Sequence, residues 1–228
     1  MMRYTRYDLK NKNKKKHHYI SVVFVLMLVL AIILGTIVSK FTIKGAAPQK
    51  TEANTNSSSK PIKFAAIQGG LYANIDNANK EKDVLASFGN PFMIKEGDRN
   101  RVFLGIYSED SFDNIIKTLN EKGKSNSKMV FTLNKNNLCD AEIAEIISAN
   151  IKILQKLTES DVRAVKTQDL KTWATALKKA DDSSKNIKEL NELKDYIGKL
   201  PTELTKDKAA DNYVFLYNIL KNISEISK

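Results

Sequence analysis

Apolar residues fall along this chain in three rhythms. The 19 residues from Ile20 to Val38, "ISVVFVLMLVLAIILGTIV", contain no charged side chain. At helical rise that run just covers a hydrocarbon core of roughly 30 Å, so it is expected to span a membrane. From Ile62 to Lys135 the pattern switches between period two and period 3.6. "IKFAAIQ", "PFMIKE", "RVFLGIY" and "MVFTL" read as strands, the second and third joined as a hairpin through "GDRN". "IDNANKEKDVLASF" and "SEDSFDNIIKTLNEKG" read as helices, opened by Asp76 or a Ser108 cap and closed by Gly89 or Gly123. The order β-α-β-β-α-β predicts a ferredoxin-like split βαβ arrangement.

Beyond Lys135 the rhythm is helical. Ile143, Ile146, Ile147, Ile151 and Leu154 share one face. A second helix holds Leu170, Trp173 and Leu177, with Thr167 as a candidate cap. A third holds Ile187, Leu190, Leu193 and Ile197, stopped by Pro201; a fourth follows Asp207 with Tyr213, Leu216, Tyr217 and Leu220. Four amphipathic helices with short polar turns predict a small bundle. The fourth, "NYVFLYNIL", is apolar nearly all round, which suits either a central helix buried by the other three or a docking helix. Trp173 is read as core.

The expected fold class is therefore α+β, in five segments. These are a basic cytoplasmic tail (1–19), a transmembrane helix (20–38), a disordered tether (39–61), a split βαβ domain (62–135) and a C-terminal helical bundle (136–228). The tether, rich in Ser, Asn, Thr and Lys, would span roughly 25 Å as a flexible coil.

Charge sharpens this division. The formal net charge is +11, yet residues 1–40 carry eight Lys/Arg against one acid, and residues 136–228 balance fifteen against fifteen. A nucleic-acid binder needs its basic face on the folded domain, so no nucleic-acid partner is expected. The basic residues before Ile20 instead predict a cytoplasmic N-terminus and an outer location for everything after Val38. A cleaved signal peptide fits less well, because the apolar run is long and no small-x-small site closes it.

The chemistry available outside the membrane is narrow. Both histidines, His17 and His18, lie in the tail, so the outer region has no imidazole for a zinc site, a Ser-His-Asp triad or a Cys-His pair. The single cysteine, Cys139, permits no intrachain disulfide; it reads as a partly buried free thiol, or more weakly as a link to a second copy. Gly69-Gly70 lacks the Lys and spacing of a phosphate loop and reads as a tight strand exit or a bulge. No catalytic residue, metal or cofactor is expected.

A surface remains. Strand alternation puts Ala65, Ile67, Val102 and Leu104 under the two helices, and Phe64, Gln68, Arg101, Phe103 and Gly105 on the opposite side. Amide, guanidinium and aromatic groups together suit a polar, ring-shaped polymer such as a glycan. An ordinary solvated face with scattered aromatics is the alternative.

Two stretches carry a resemblance. Gln68, Gly70, Tyr72 and Ala78 form one motif; Arg101, Val102, Gly105, Tyr107 and Ser108 form the other. In this order and separation the segment resembles a SPOR domain, the peptidoglycan-binding module of bacterial cell-division and sporulation proteins. The resemblance covers about 70 residues, and the layout of tail, span, tether and outer domain is similar to that of stage II sporulation proteins. It implies binding to septal glycan strands stripped of their stem peptides, with Gln68 and Arg101 in contact and Phe64, Phe103 and Arg99 on the same face. Leu71, Ala73 and Arg99 depart from the family's usual residues. It also implies that the two Gly-x-Tyr corners are a pseudo-repeat, with Tyr72 and Tyr107 as buried anchors. Action in septal wall remodelling, in sporulation or in vegetative division, would follow. The rival reading is an adaptor that uses the sheet face and the C-terminal helices to hold a division or sporulation protein.

Overall fold

The computed structural model describes residues 60–227, which belong to one compact unit. The expected tail, membrane span and nearly all of the tether lie outside the described residues. Among those described, no helix is long and apolar enough to cross a membrane.

The chain is α+β. Strand β1 (Ile62–Tyr72) is followed by α1 (Ile75–Leu85), β2 (Phe92–Glu96), β3 (Arg99–Ser108), α2 (Glu109–Glu121) and β4 (Ser127–Leu133). The β-α-β-β-α-β order read from the hydrophobic rhythm is therefore present. All neighbours are antiparallel, in the order β2-β3-β1-β4-β7, where β7 (Glu225–Ser227) adds a short fifth strand. Local chemistry sets the corners. The Asn74 side chain accepts from the N–H groups of Asp76 and Asn77 and starts α1, one turn ahead of its apolar face. Gly97, at φ 61°, closes the β2–β3 turn in the left-handed region that other residues avoid.

Helices α1 and α2 cover one side of the sheet over Ala65, Ile67, Val102, Leu104 and Tyr107, as alternation predicts. The prediction fails at Gly105. Gln68 pairs with Phe103 and Ile67 with Gly105, so Leu104 is an extra residue in β3; Gly69 is likewise extra in β1. Each bulge shifts the alternation by one. Gly105 thus turns to the α1/α2 side, away from Phe103.

Both bulges serve the Gly-x-Tyr corners. Tyr72 folds back over Gly70 and Tyr107 over Gly105: a Cβ at Gly70 would lie 2.6 Å from Tyr72 Cε2, and one at Gly105 would lie 3.2 Å from Tyr107 Cε2. The glycines are thus the floor on which the rings lie. Tyr107 is buried, as expected of an anchor, and Tyr72 only partly.

The C-terminal helices are α3 (Leu138–Lys156), α4 (Gln168–Ala176), α5 (Ile187–Lys199) and α6 (Lys206–Ile223). A two-stranded ribbon of β5 (Ala164–Lys166) and β6 (Glu203–Thr205) ties α4 to α6. Thr167 precedes α4, but its hydroxyl donates to the Pro201 carbonyl at 2.5 Å instead of capping the helix.

The expectation of a separate bundle at 136–228 is corrected. One continuous core runs from Phe64, Phe92, Phe103 and Phe131 of the sheet into Ile147, Leu193, Tyr213, Leu216 and Leu220 of the helices. Helix α6 is buried by the sheet as well as by its sister helices. Its ring Tyr217 stands 5.2 Å from Phe103 and 5.7 Å from Phe131, and Tyr213 stacks on Phe92 at 5.4 Å. The physical reason is area: four aromatic rings on the second side of the sheet need an apolar cover, and an amphipathic helix row supplies one. The result is three layers, α1/α2, sheet, and α3–α6.

Candidate functional site

The five residues expected to form a glycan face separate into two groups. Phe64 and Phe103 are fully buried in the core shared with the C-terminal helices, Phe103 against Tyr217 of α6, so their expected role as open ring platforms is corrected. Gln68, Arg99 and Arg101 lie at the margin, where the helical cover ends: Arg99 is exposed, Gln68 and Arg101 partly so.

The margin is an organised polar cluster. Arg101 donates from Nε and Nη2 to Glu96 Oε2 at 3.1 and 2.8 Å, and from Nη1 to Gln68 Oε1. The other oxygen of Glu96 accepts from the Tyr217 hydroxyl at 3.2 Å. Strand pairing explains part of this geometry. Arg101 and Glu96 belong to adjacent strands of one hairpin, and the β1 bulge at Gly69 precedes the point where Leu71 pairs with Arg101. A single guanidinium thereby joins β1, β2 and β3, and Glu96 extends the chain to α6.

The electrostatics follow. The Arg101 hydrogen bond holds the Glu96 carboxyl below the usual carboxylate range, against a smaller opposing effect of burial. Burial and the neighbouring Glu96 charge push the Tyr217 hydroxyl up to about 12, so it remains a donor. The Arg101 side chain is 12% exposed and Glu96 28%. Of the five guanidinium N–H groups, three are committed within the cluster and two remain.

The motif residues Gln68 and Arg101, 33 positions apart, are thus brought into direct contact. Sequence reasoning missed Glu96 and Tyr217. Glu96 ends a predicted strand beside a turn and carried no signal of its own. Tyr217 lies 121 residues further on, and its apolar setting marked it as core.

Three other ionisable groups sit in the interior. Glu142 and Lys194 form an interhelical ion pair at 2.7 Å, with Glu142 5% exposed. Cys139 is buried, and desolvation aided by Asp140 and Glu142 pushes its thiol up to about 11, an unreactive state. Comparison with family models, curated proteins and solved structures yields no match to the chain.

Proposed function

We propose that this is a non-catalytic, membrane-anchored protein that binds septal peptidoglycan through a SPOR-like, ferredoxin-like domain, contacting glycan at the Gln68–Arg101 margin. The span at Ile20–Val38 holds it in the cell membrane with its domains outside, and it acts in septal wall remodelling during sporulation or cell division. The observation that carries this reading is the convergence of Gln68 and Arg101, one from each Gly-x-Tyr motif, into one hydrogen-bonded pair. Glu96 and Gln68 hold the guanidinium in place, so a ligand meets a group whose rotamers are already restricted. The uncommitted N–H groups of Arg101, the Gln68 amide and Arg99 match glycan hydroxyl and acetamido oxygens.

The adaptor reading is favoured by a different observation, the burial of Phe64 and Phe103 in the core shared with the C-terminal helices, which removes the aromatic half of the glycan surface.

The two separate in a co-sedimentation experiment. The full chain in mild detergent is mixed with purified sacculi, either intact or treated with an amidase that removes stem peptides. The glycan reading expects pelleting with the treated wall. Loss of one hydrogen bond of ~1 kcal/mol in Gln68→Ala or Arg99→Ala should weaken it about fivefold, with the thermal unfolding midpoint nearly unchanged for Arg99→Ala. Absence of pelleting from a folded chain sinks the glycan reading and leaves the adaptor.

A further inference from the structure

The end of β4, the start of α3, the turn before α5 and the end of α6 enclose a cleft of about 430 Å³. That volume falls within the roughly 300–1,000 Å³ of small-molecule sites, but the wall is not the usual apolar one. Five side-chain amides line it: Asn134, Asn136, Asn137, Asn186 and Asn222. They come from three separate stretches of chain, the run after β4, the turn before α5 and the end of α6, so the fold brings Asn186 and Asn222 to the local run.

Two of the amides have duties in the structure. Asn137 Oδ1 accepts from the Asp140 N–H at 2.9 Å and caps α3. Asn137 Nδ2 and Asn186 Nδ2 donate to the two Asp140 oxygens at 2.8 and 2.7 Å. The other three, Asn134, Asn136 and Asn222, are exposed, and no described residue engages their amides.

Chemistry narrows what could fill the cleft. Its charged residues are Lys185 against Asp140 and Glu225, a slightly negative balance that disfavours phosphate and carboxylate ligands. A metal cation is disfavoured because each Asp140 oxygen already accepts an amide N–H. The α3 N-terminus and the α6 C-terminus both open on the cleft, so their opposite partial charges offset each other. What remains is a neutral ligand dense in groups that both donate and accept. Each amide offers two donors and an acceptor. Leu133 and Ile223 add a small apolar surface for a methyl group or a ring C–H face. A peptide in strand form would pair with a sheet edge, and the edge of β4 beside the cleft is already taken by β7.

We propose that this cleft is a binding site for a neutral saccharide bearing acetamido groups, held by Asn134, Asn136 and Asn222. It is distinct from the Gln68–Arg101 margin. Gln68 pairs with Ser127 at one end of β4, whereas the cleft begins at Thr132 and Leu133 at the other, about 15–20 Å away at strand rise. The inference does not depend on the margin binding glycan.

The test is a titration of the full chain, labelled with ¹⁵N and held in detergent micelles, with N,N′,N″-triacetylchitotriose, and in parallel with cellotriose, which lacks acetamido groups. Side-chain amide resonances of Asn134, Asn136 and Asn222 are expected to shift saturably with the acetylated sugar and far less with cellotriose. The double variant Asn136→Ala/Asn222→Ala loses at least two hydrogen bonds, so its affinity should fall on the order of tenfold. Both residues are exposed, and the rest of its spectrum should be retained. No shift at these amides overturns the proposal, as does equal binding of cellotriose or unchanged affinity in the double variant. The Gln68 side-chain amide reports the margin in the same spectra, so failure of either site is read independently of the other.

Discussion

If the sheet and the C-terminal helices share one core, damage on a strand must be felt in a helix that does not touch it. Phe103 is the position to perturb. It is fully buried in β3, stacked on Phe92 at 5.1 Å and beside Tyr217 at 5.2 Å. Phe103→Ala removes these contacts and leaves a cavity, at a cost of about 3–5 kcal/mol. For a unit of this size each kcal/mol moves the melting midpoint by roughly 2–4 °C, so a fall of about 6–20 °C is expected. The reporter is built in: Trp173 in α4 is the single tryptophan of the chain and packs against the same core. Urea or thermal unfolding of residues 56–228 is followed by Trp173 fluorescence and by far-ultraviolet circular dichroism. One cooperative core requires both signals to shift together by the full amount. A Trp173 transition that stays put while the dichroism transition moves, or that splits into two, would refute the shared core and restore the two-domain division near residue 135.

Two further predictions concern buried polar groups. Because Arg101 lowers the folded-state pKa of Glu96, the pair contributes stability that is present above the unfolded value, near 4.5, and lost as pH falls through the depressed folded value. Glu96→Gln should therefore destabilise the protein around pH 7 and lose that deficit as pH falls below 4.5 through the depressed folded value; equal urea midpoints for both proteins at neutral pH would count against the linkage. Asn150 and Asn212 meet between α3 and α6 at 2.8 Å, both fully buried, with Asn150 Oδ1 and Asn212 Nδ2 lacking partners. Asn150→Leu alone should cost about 1–3 kcal/mol by stranding Asn212, and adding Asn212→Leu should recover most of it; a double-mutant cycle with no coupling sinks the idea.

What was legible in the sequence depended on how local its cause was. Strand alternation placed Ala65, Ile67, Val102 and Leu104 correctly, because each strand carries its own period-two record. It misplaced Gly105 because a bulge is a relation between two strands: Leu104 becomes extra only when β1 supplies the register. The four C-terminal helices were found from their own periodicity, but periodicity says that a face is buried and not what buries it. Tyr213 and Tyr217 therefore point to a bundle interior, whereas the rings packed against them are Phe92, Phe103 and Phe131 of the strands. The three-residue strands β5, β6 and β7 are too short to show any period, and their pairing comes from tertiary contacts alone. The amides of the cleft were visible as "NKNN" after β4, but Asn186 and Asn222 join them only through the fold.

The same distinction bears on the margin. Their types and motif positions mark Gln68 and Arg101 as ligand groups, and the fold gives them a second duty as a clip between three strands and α6. A purely structural clip has no need of charge. Replacing a partly buried ion pair with well-packed apolar residues is often neutral or stabilising, and the site already adjoins a large apolar core. Charge at this point is better explained if the guanidinium also faces a polar partner. Its remaining N–H groups are what such a partner would use, while Glu96 limits the rotamer freedom lost on binding. On that argument the helical cover and the polar margin are complementary. The helices remove the aromatic part of the sheet from solvent, and Glu96 and Tyr217 fix where the cover stops, leaving a guanidinium–amide pair at its edge.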